Sequence, residues 1–155
     1  MIILKFLYLT SIAVWFGSLV FFSFVGAPAI FKSLPREQAG DLAGVIFPRY
    51  YLLGLICGLI ALGSLIASSL MTRHWQTAGI VLLVLMVSTT LYAGYGVAGK
   101  AREVKAEIRA AVDGPAKQAL QQRFGALHRQ SVILNSIVLF LGIGVFLVTA
   151  VQLRL

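Results

Sequence analysis

The sequence predicts an all-α integral membrane protein: a four-helix bundle with a cytoplasmic helical-hairpin extension between spans three and four. Three observations carry that reading. The 155 residues are 59% hydrophobic, with a mean hydropathy of +0.93. Only 12% are charged, about half the share of an ordinary soluble domain. The charges also fall between four uncharged stretches, residues 6–31, 50–72, 75–99 and 130–153. Each stretch exceeds the roughly 20 helical residues that cross about 30 Å of hydrocarbon. A soluble domain of this size would need far more polar residues to cover its surface. In hydrocarbon every backbone N–H needs an internal partner, which selects helices over open strands. The chain therefore reads as one transmembrane domain over residues 1–155.

The first stretch ends in FVGAPAIFKSLPREQAG, residues 24–40. A secretory signal has an apolar core of about 7–15 residues before a small-residue cleavage site. This run is longer, and Gly26-Ala27-Pro28-Ala29 sets a proline where cleavage needs an extended backbone. The expectation is a retained span whose end is kinked by Pro28, with Pro35 turning the chain toward the second. The second stretch carries Gly54-x-x-x-Gly58 and then Ala61, a small-residue stripe that admits close helix approach within the bundle or between copies. In the third, Ser88, Thr89, Thr90 and Tyr92 either line a polar cleft or bond back to their own helix.

Residues 100–129 are predicted to be helical as well. KAREVKAEIRAAV aligns Ala101, Val104, Ile108 and Ala111 on one face, and AKQALQQRFGAL aligns Ala116, Leu120, Phe124 and Leu127 on another. Asp113-Gly114-Pro115 between them is a turn and a fresh helix start. The third and fourth helices are thus expected to outrun the bilayer as an antiparallel hairpin, the alternative being a basic helix pair that lies on the headgroups.

Charge sets the expected orientation. Ten basic residues flank the first and third connections: Lys32, Arg36, Arg49, Lys100, Arg102, Lys105, Arg109, Lys117, Arg123 and Arg129. Three, Lys5, Arg73 and Arg154, lie at the other end. The positive-inside rule then places both long connections in the cytoplasm and both termini outside it, in a bacterial-type inner (plasma) membrane. The formal net charge of +8 is spread in short clusters, which suits anionic lipid headgroups and not nucleic acid.

The segments WFGSLVFFSFVGAPAIFKSLPREQAG, FPRYY and FGALHRQSVILN together resemble the transmembrane protein 205-like family, whose bacterial members form a domain family of unknown function. The resemblance covers about half the chain and implies a small four-span protein without a settled activity. It also implies a distant likeness to copper-resistance D proteins and to a haem-binding protoporphyrinogen oxidase family. Such relatives carry a histidine seven residues before the first-span tryptophan, where this chain has Tyr8 before Trp15. They also carry a proline where it has Ala93-Gly94-Tyr95-Gly96. Both departures argue against carrying haem or copper chemistry over.

No Asp or Glu falls inside a span, which disfavours an ion-coupled pump. His74 and His128 are predicted at opposite ends, so one chain cannot ligate haem through both. Met1, Cys57, Met71 and Met86 share no metal-ligand spacing and read as packing residues. With one cysteine there is no intrachain disulfide. Nucleophile–base pairs, paired carboxylates and phosphate loops are missing from the pattern, so the reading leans away from catalysis.

The candidate site is the basic mouth. Arg49 follows Phe47-Pro48 and precedes Tyr50-Tyr51, while His128-Arg129 precede Ser131 and Asn135. Each group opens the second helix of a hairpin, which makes the fold a candidate pair of parallel repeats. If the hairpins pack side by side, Arg36, Arg49 and His128 converge on a phosphate or carboxylate, with Tyr50 beside Arg49 as a further candidate. The alternative is that Arg49 and Arg129 snorkel to the headgroups and fix helix depth. Trp15 and Asn135 lie deeper, and Trp15, Ser11 or Ser18 are the expected partners of the Asn135 amide. The leading expectation is a non-catalytic protein that binds a lipidic or amphipathic anionic ligand between helices. The alternatives are a haem- or metal-linked redox or resistance protein and an assembly protein that recruits a partner through its hairpin; a homo-oligomer is compatible with each.

Overall fold

The computed structural model describes residues 1–152; the Arg36 and Gln152 side chains, and Leu153 to Leu155 with the basic Arg154, lie outside the described set. Four rods make up the protein. The first joins α1 (Ile2–Phe21), a π-helical turn (Phe22–Gly26) and α2 (Ala27–Ser33). The second is α3 (Arg36–Thr72). The third joins α4 (Thr77–Leu91), a second π-helical turn (Tyr92–Val97) and α5 (Ala98–Ala110), and α6 (Pro115–Gln152) is the fourth. All four are long and apolar enough to cross a membrane, and the chain is an all-α membrane protein.

Short connections at 34–35, 73–76 and 111–114 make consecutive rods antiparallel neighbours. Helix α1 packs on α3, α3 on α4, α4 on α6, and α6 back on α1, which closes the ring. At about 1.5 Å per residue, the 37 residues of α3 reach roughly 55 Å. That is well beyond a bilayer core. The overhang is therefore not confined to residues 100–129: residues 36–49, expected as a connection, are the first four turns of α3. Pro48 sits inside that helix, and its missing N–H removes one backbone bond that a long, packed helix absorbs.

Both π-turns interrupt the first helix of a hairpin. In one, the Ala27 N–H reaches back five residues to the Phe22 carbonyl. Pro28 follows directly, and the extra residue makes room for a ring that would crowd the carbonyl four residues earlier. The expected kink takes this form. In the other, the Ala98 N–H reaches the Ala93 carbonyl, and no proline is needed. Here Gly94 brings the backbone against Tyr51, whose Cβ would stand 3.0 Å from an added methyl.

The core fills the uncharged half. Tyr8, Ile12, Trp15 and Leu19 descend one face of α1 and meet Leu55, Ala61 and Leu65 of α3, Leu83 and Met86 of α4, and Val138 and Val145 of α6. Cys57 is buried among them. The Gly54-x-x-x-Gly58 stripe is spent inside the bundle: Cβ atoms there would lie 2.6 Å and 2.7 Å from the Trp15 indole. Phe16 covers Gly142 in the same way, at 2.6 Å. The outward faces carry Ile2, Phe6, Phe21, Leu59, Phe140 and Leu147 in the open, a surface for lipid. Tyr8, at the position where a histidine was expected from the resemblance, shares a 2.7 Å hydrogen bond with Thr149.

The α5–α6 pair is an antiparallel hairpin. Ala101, Val104, Ile108 and Ala111 turn inward, with Val104 only 1% exposed. On α6, Leu120, Phe124 and Leu127 are half-buried, but Ala116 faces out and Lys117 takes the inward position, donating to Asp113 at 2.7 Å.

Candidate functional site

Beyond the core, in the charged half, the same rods separate around a cavity of about 880 Å³. Three stripes wall it at one helical spacing. Glu37, Gly40, Gly44, Phe47, Pro48 and Tyr51 come from α3. Ala98, Ala101, Arg102, Lys105, Ile108 and Arg109 come from α5. Lys117, Gln121, Phe124, Gly125, His128 and Ser131 come from α6. Steps of three and four residues keep each set on one face of its helix. Phe31 of α2 also lines the space, and its ring meets His128 with centroids 5.8 Å apart.

The lining is graded. Toward the core it is apolar and aromatic, with Phe47 and Tyr51 stacked at 5.9 Å and Phe124 on α6. Toward the helix tips it is charged, with the cations Lys105, Arg109 and Lys117 outnumbering Glu37. Lys105 and Arg109 both donate to the same carboxylate oxygen, Oδ1 of Asp41 on α3. The Lys105 hydrogen bond, with the Arg109 charge behind it, holds the exposed Asp41 carboxyl below the usual carboxylate range. Lys117 does the same to Asp113 at the hairpin tip. Arg102 has no acidic partner among the described residues.

Tyr51 separates this cavity from a recess of about 10 Å³, lined also by Trp15, Leu19, Tyr50, Thr90, Ala93, Asn135 and Val138. Asn135 ties three rods together there. Its Oδ1 accepts from the Tyr50 hydroxyl at 2.6 Å, and its Nδ2 donates to Ser23 at 2.8 Å. Tyr50 and Ser23, not the expected Trp15, Ser11 or Ser18, are its partners. Ser23 belongs to the first π-turn, while Ser18 bonds back to the Trp15 carbonyl. Thr89 likewise bonds back, to Leu85.

The predicted site residues thus divide into groups. Trp15, Tyr50 and Asn135 meet at the small recess, and His128 lines the large cavity. Arg49 joins neither: it is exposed and donates to the Val45 carbonyl on its own helix at 2.9 Å. At about 100° per residue Arg49 and Tyr51 diverge by roughly 200°, so both cannot face the cavity. The Arg36 side chain lies outside the described residues. Arg102, Lys105, Arg109, Phe47 and Tyr51 were not foreseen as lining, although the inward stripe Ala101, Val104 and Ile108 already fixed which cations flank it.

An "Uncharacterized protein" of Aquifex aeolicus (strain VF5) is 53% identical over 36 residues, which is 23% of this chain and 27% of that protein. The chain thus aligns with about a quarter of its length. No solved structure matches. Residues 10–110, from within α1 to the end of α5, match the family described as "Domain of unknown function (DUF4149)", and the chain belongs to that family.

Proposed function

We propose that the protein holds an amphipathic, anionic ligand in the cavity of its charged half, without catalysing a reaction on it. The observation that carries this is the graded lining: basic side chains at the helix tips and aromatic ones toward the core, around about 880 Å³. That volume falls within the range of small-molecule sites, which combine apolar walls with a few placed polar groups. The cationic end suits a phosphate or carboxylate, and the apolar end suits a hydrocarbon chain. In this reading the charged half faces the cytoplasm of a bacterial-type inner membrane, with both termini on the far side, as the excess of Lys and Arg favours. The likeness to transmembrane protein 205-like proteins belongs to the same reading, as a kinship of scaffold.

Native mass spectrometry from mild detergent tests it. The wild type should carry a lipidic anion that Arg102→Ala combined with His128→Ala loses and that Arg49→Ala keeps. Equal retention by all three proteins would remove the proposal. Orientation has its own check: a cysteine placed at Asp113 in a Cys57→Ser background should react with an impermeant maleimide only after the cells are opened.

A further inference from the structure

We propose that Asp41, beside the cavity, is the resting counter-ion of its two cations Lys105 and Arg109, and that a long-chain phosphate monoester entering the cavity draws both away from it. This rests on the cavity being a ligand site. Both cations line the cavity, yet both are committed to one oxygen of one carboxylate. Gly40 helps to fix this arrangement, since the Lys105 ammonium lies 3.2 Å from where its Cβ would be. The Asp41 and Arg109 side chains are 44% and 58% exposed, whereas Lys105 is 22% exposed. Exposed ion pairs hold weakly, so Arg109 is the partner that exchanges most easily, and Lys105 follows when the ligand offers it an oxygen in return.

What can exchange with it follows from charge. A carboxylate ligand would replace Asp41 like for like and gain nothing at the two cations. A phosphate monoester carries a charge of about −1.5 to −2 near neutral pH and three acceptor oxygens. It can offer Lys105 and Arg109 an oxygen each, as charge-assisted hydrogen bonds. Arg102, one turn nearer the core and without an acidic partner among the described residues, is placed to receive the third. Beside Arg102 and beyond it, Ala101, Phe124, Ala98 and Phe47 offer the ester chain an apolar wall, which a free phosphate cannot use.

The test is a binding titration of the full chain in phosphatidylcholine nanodiscs with dodecyl phosphate, dodecanoate and inorganic phosphate. Dodecyl phosphate should bind the wild type, and should bind Asp41→Asn several-fold tighter because the two cations are released. Lys105→Gln combined with Arg109→Gln should weaken it by at least as much. Dodecanoate should bind the wild type more weakly than dodecyl phosphate, and inorganic phosphate should not bind measurably. Dodecyl phosphate binding to the wild type with no gain, or a loss, in Asp41→Asn would overturn the role of Asp41 and leave the ligand site standing. Equal binding of dodecanoate would overturn the phosphate assignment. Equal binding of inorganic phosphate would overturn the amphiphile and leave a plain phosphate site. Should none of the three bind the wild type, the ligand site and this inference fall together.

Discussion

The two halves of the bundle use small residues in opposite ways. In the uncharged half, Gly54 and Gly58 receive the Trp15 indole and Gly142 receives Phe16. In the charged half, Gly44 and Gly125 line the cavity, and an added Cβ at either would meet nothing within 4 Å. At these positions glycine admits an aromatic ring in one half and leaves open space in the other; Gly40, which meets the Lys105 ammonium, is filled by a cation and not by a ring. Close packing at one end rigidifies the scaffold. The lack of it at the other is where a ligand has room.

The largest expected effect lies in the packed half. Trp15 is 2% exposed, and Trp15→Ala should cost about 3–5 kcal/mol by analogy with other buried aromatic truncations, read as a lowered unfolding midpoint in mild detergent. A loss below about 1 kcal/mol would mean that the glycine stripe does not hold the bundle. Next comes a pair of matched substitutions. Gly58→Ala drives a methyl to 2.7 Å from both Trp15 and Val87 and should destabilise by about 1–3 kcal/mol. Gly44→Ala has no such neighbour and should be neutral or gain about 0.5–1 kcal/mol from helix propensity. Effects of one sign at both sites would erase the contrast between the halves.

Asn135 stands at the border between them. Its bonds to Tyr50 and Ser23 are each worth about 0.6 kcal/mol in a typical membrane protein, so Asn135→Ala should cost about 1 kcal/mol in the same unfolding assay. The smallest effect belongs to the open half. The depressed Asp41 carboxyl stabilises the folded state fully above its ordinary value of about 4, and that contribution is lost as pH falls through the lowered folded value. Hydrogen exchange should therefore show the α5 amides loosening slightly on acidification in the wild type, with no such step in Asp41→Asn.

Much of this was legible in the sequence, for stated reasons. Four uncharged runs fixed four helices, and the stripe of Ala101, Val104 and Ile108 fixed the inward face of α5. The α3 overhang was not legible, because Pro35 and Pro48 read as punctuation around residues that in fact keep a helical face through Gly40, Gly44, Phe47 and Tyr51. The π-turns were hidden too. Pro28 marked only the first, and Gly94 and Gly96 could equally signal close packing. Arg49 reads as a mouth residue because, like His128, it stands where the second helix of a hairpin is expected to open. On a helix neighbours in sequence diverge, and only a known register tells which of them faces in.

On the proposed reading, the charged half is open in order to hold a ligand. That reading is tested most directly by filling the cavity with Gly44→Leu and Ala101→Leu in one chain, then measuring thermal unfolding and dodecyl phosphate binding together. We predict an unfolding midpoint at least equal to the wild type with binding lost. Binding retained at full strength in a stably folded variant would contradict the account.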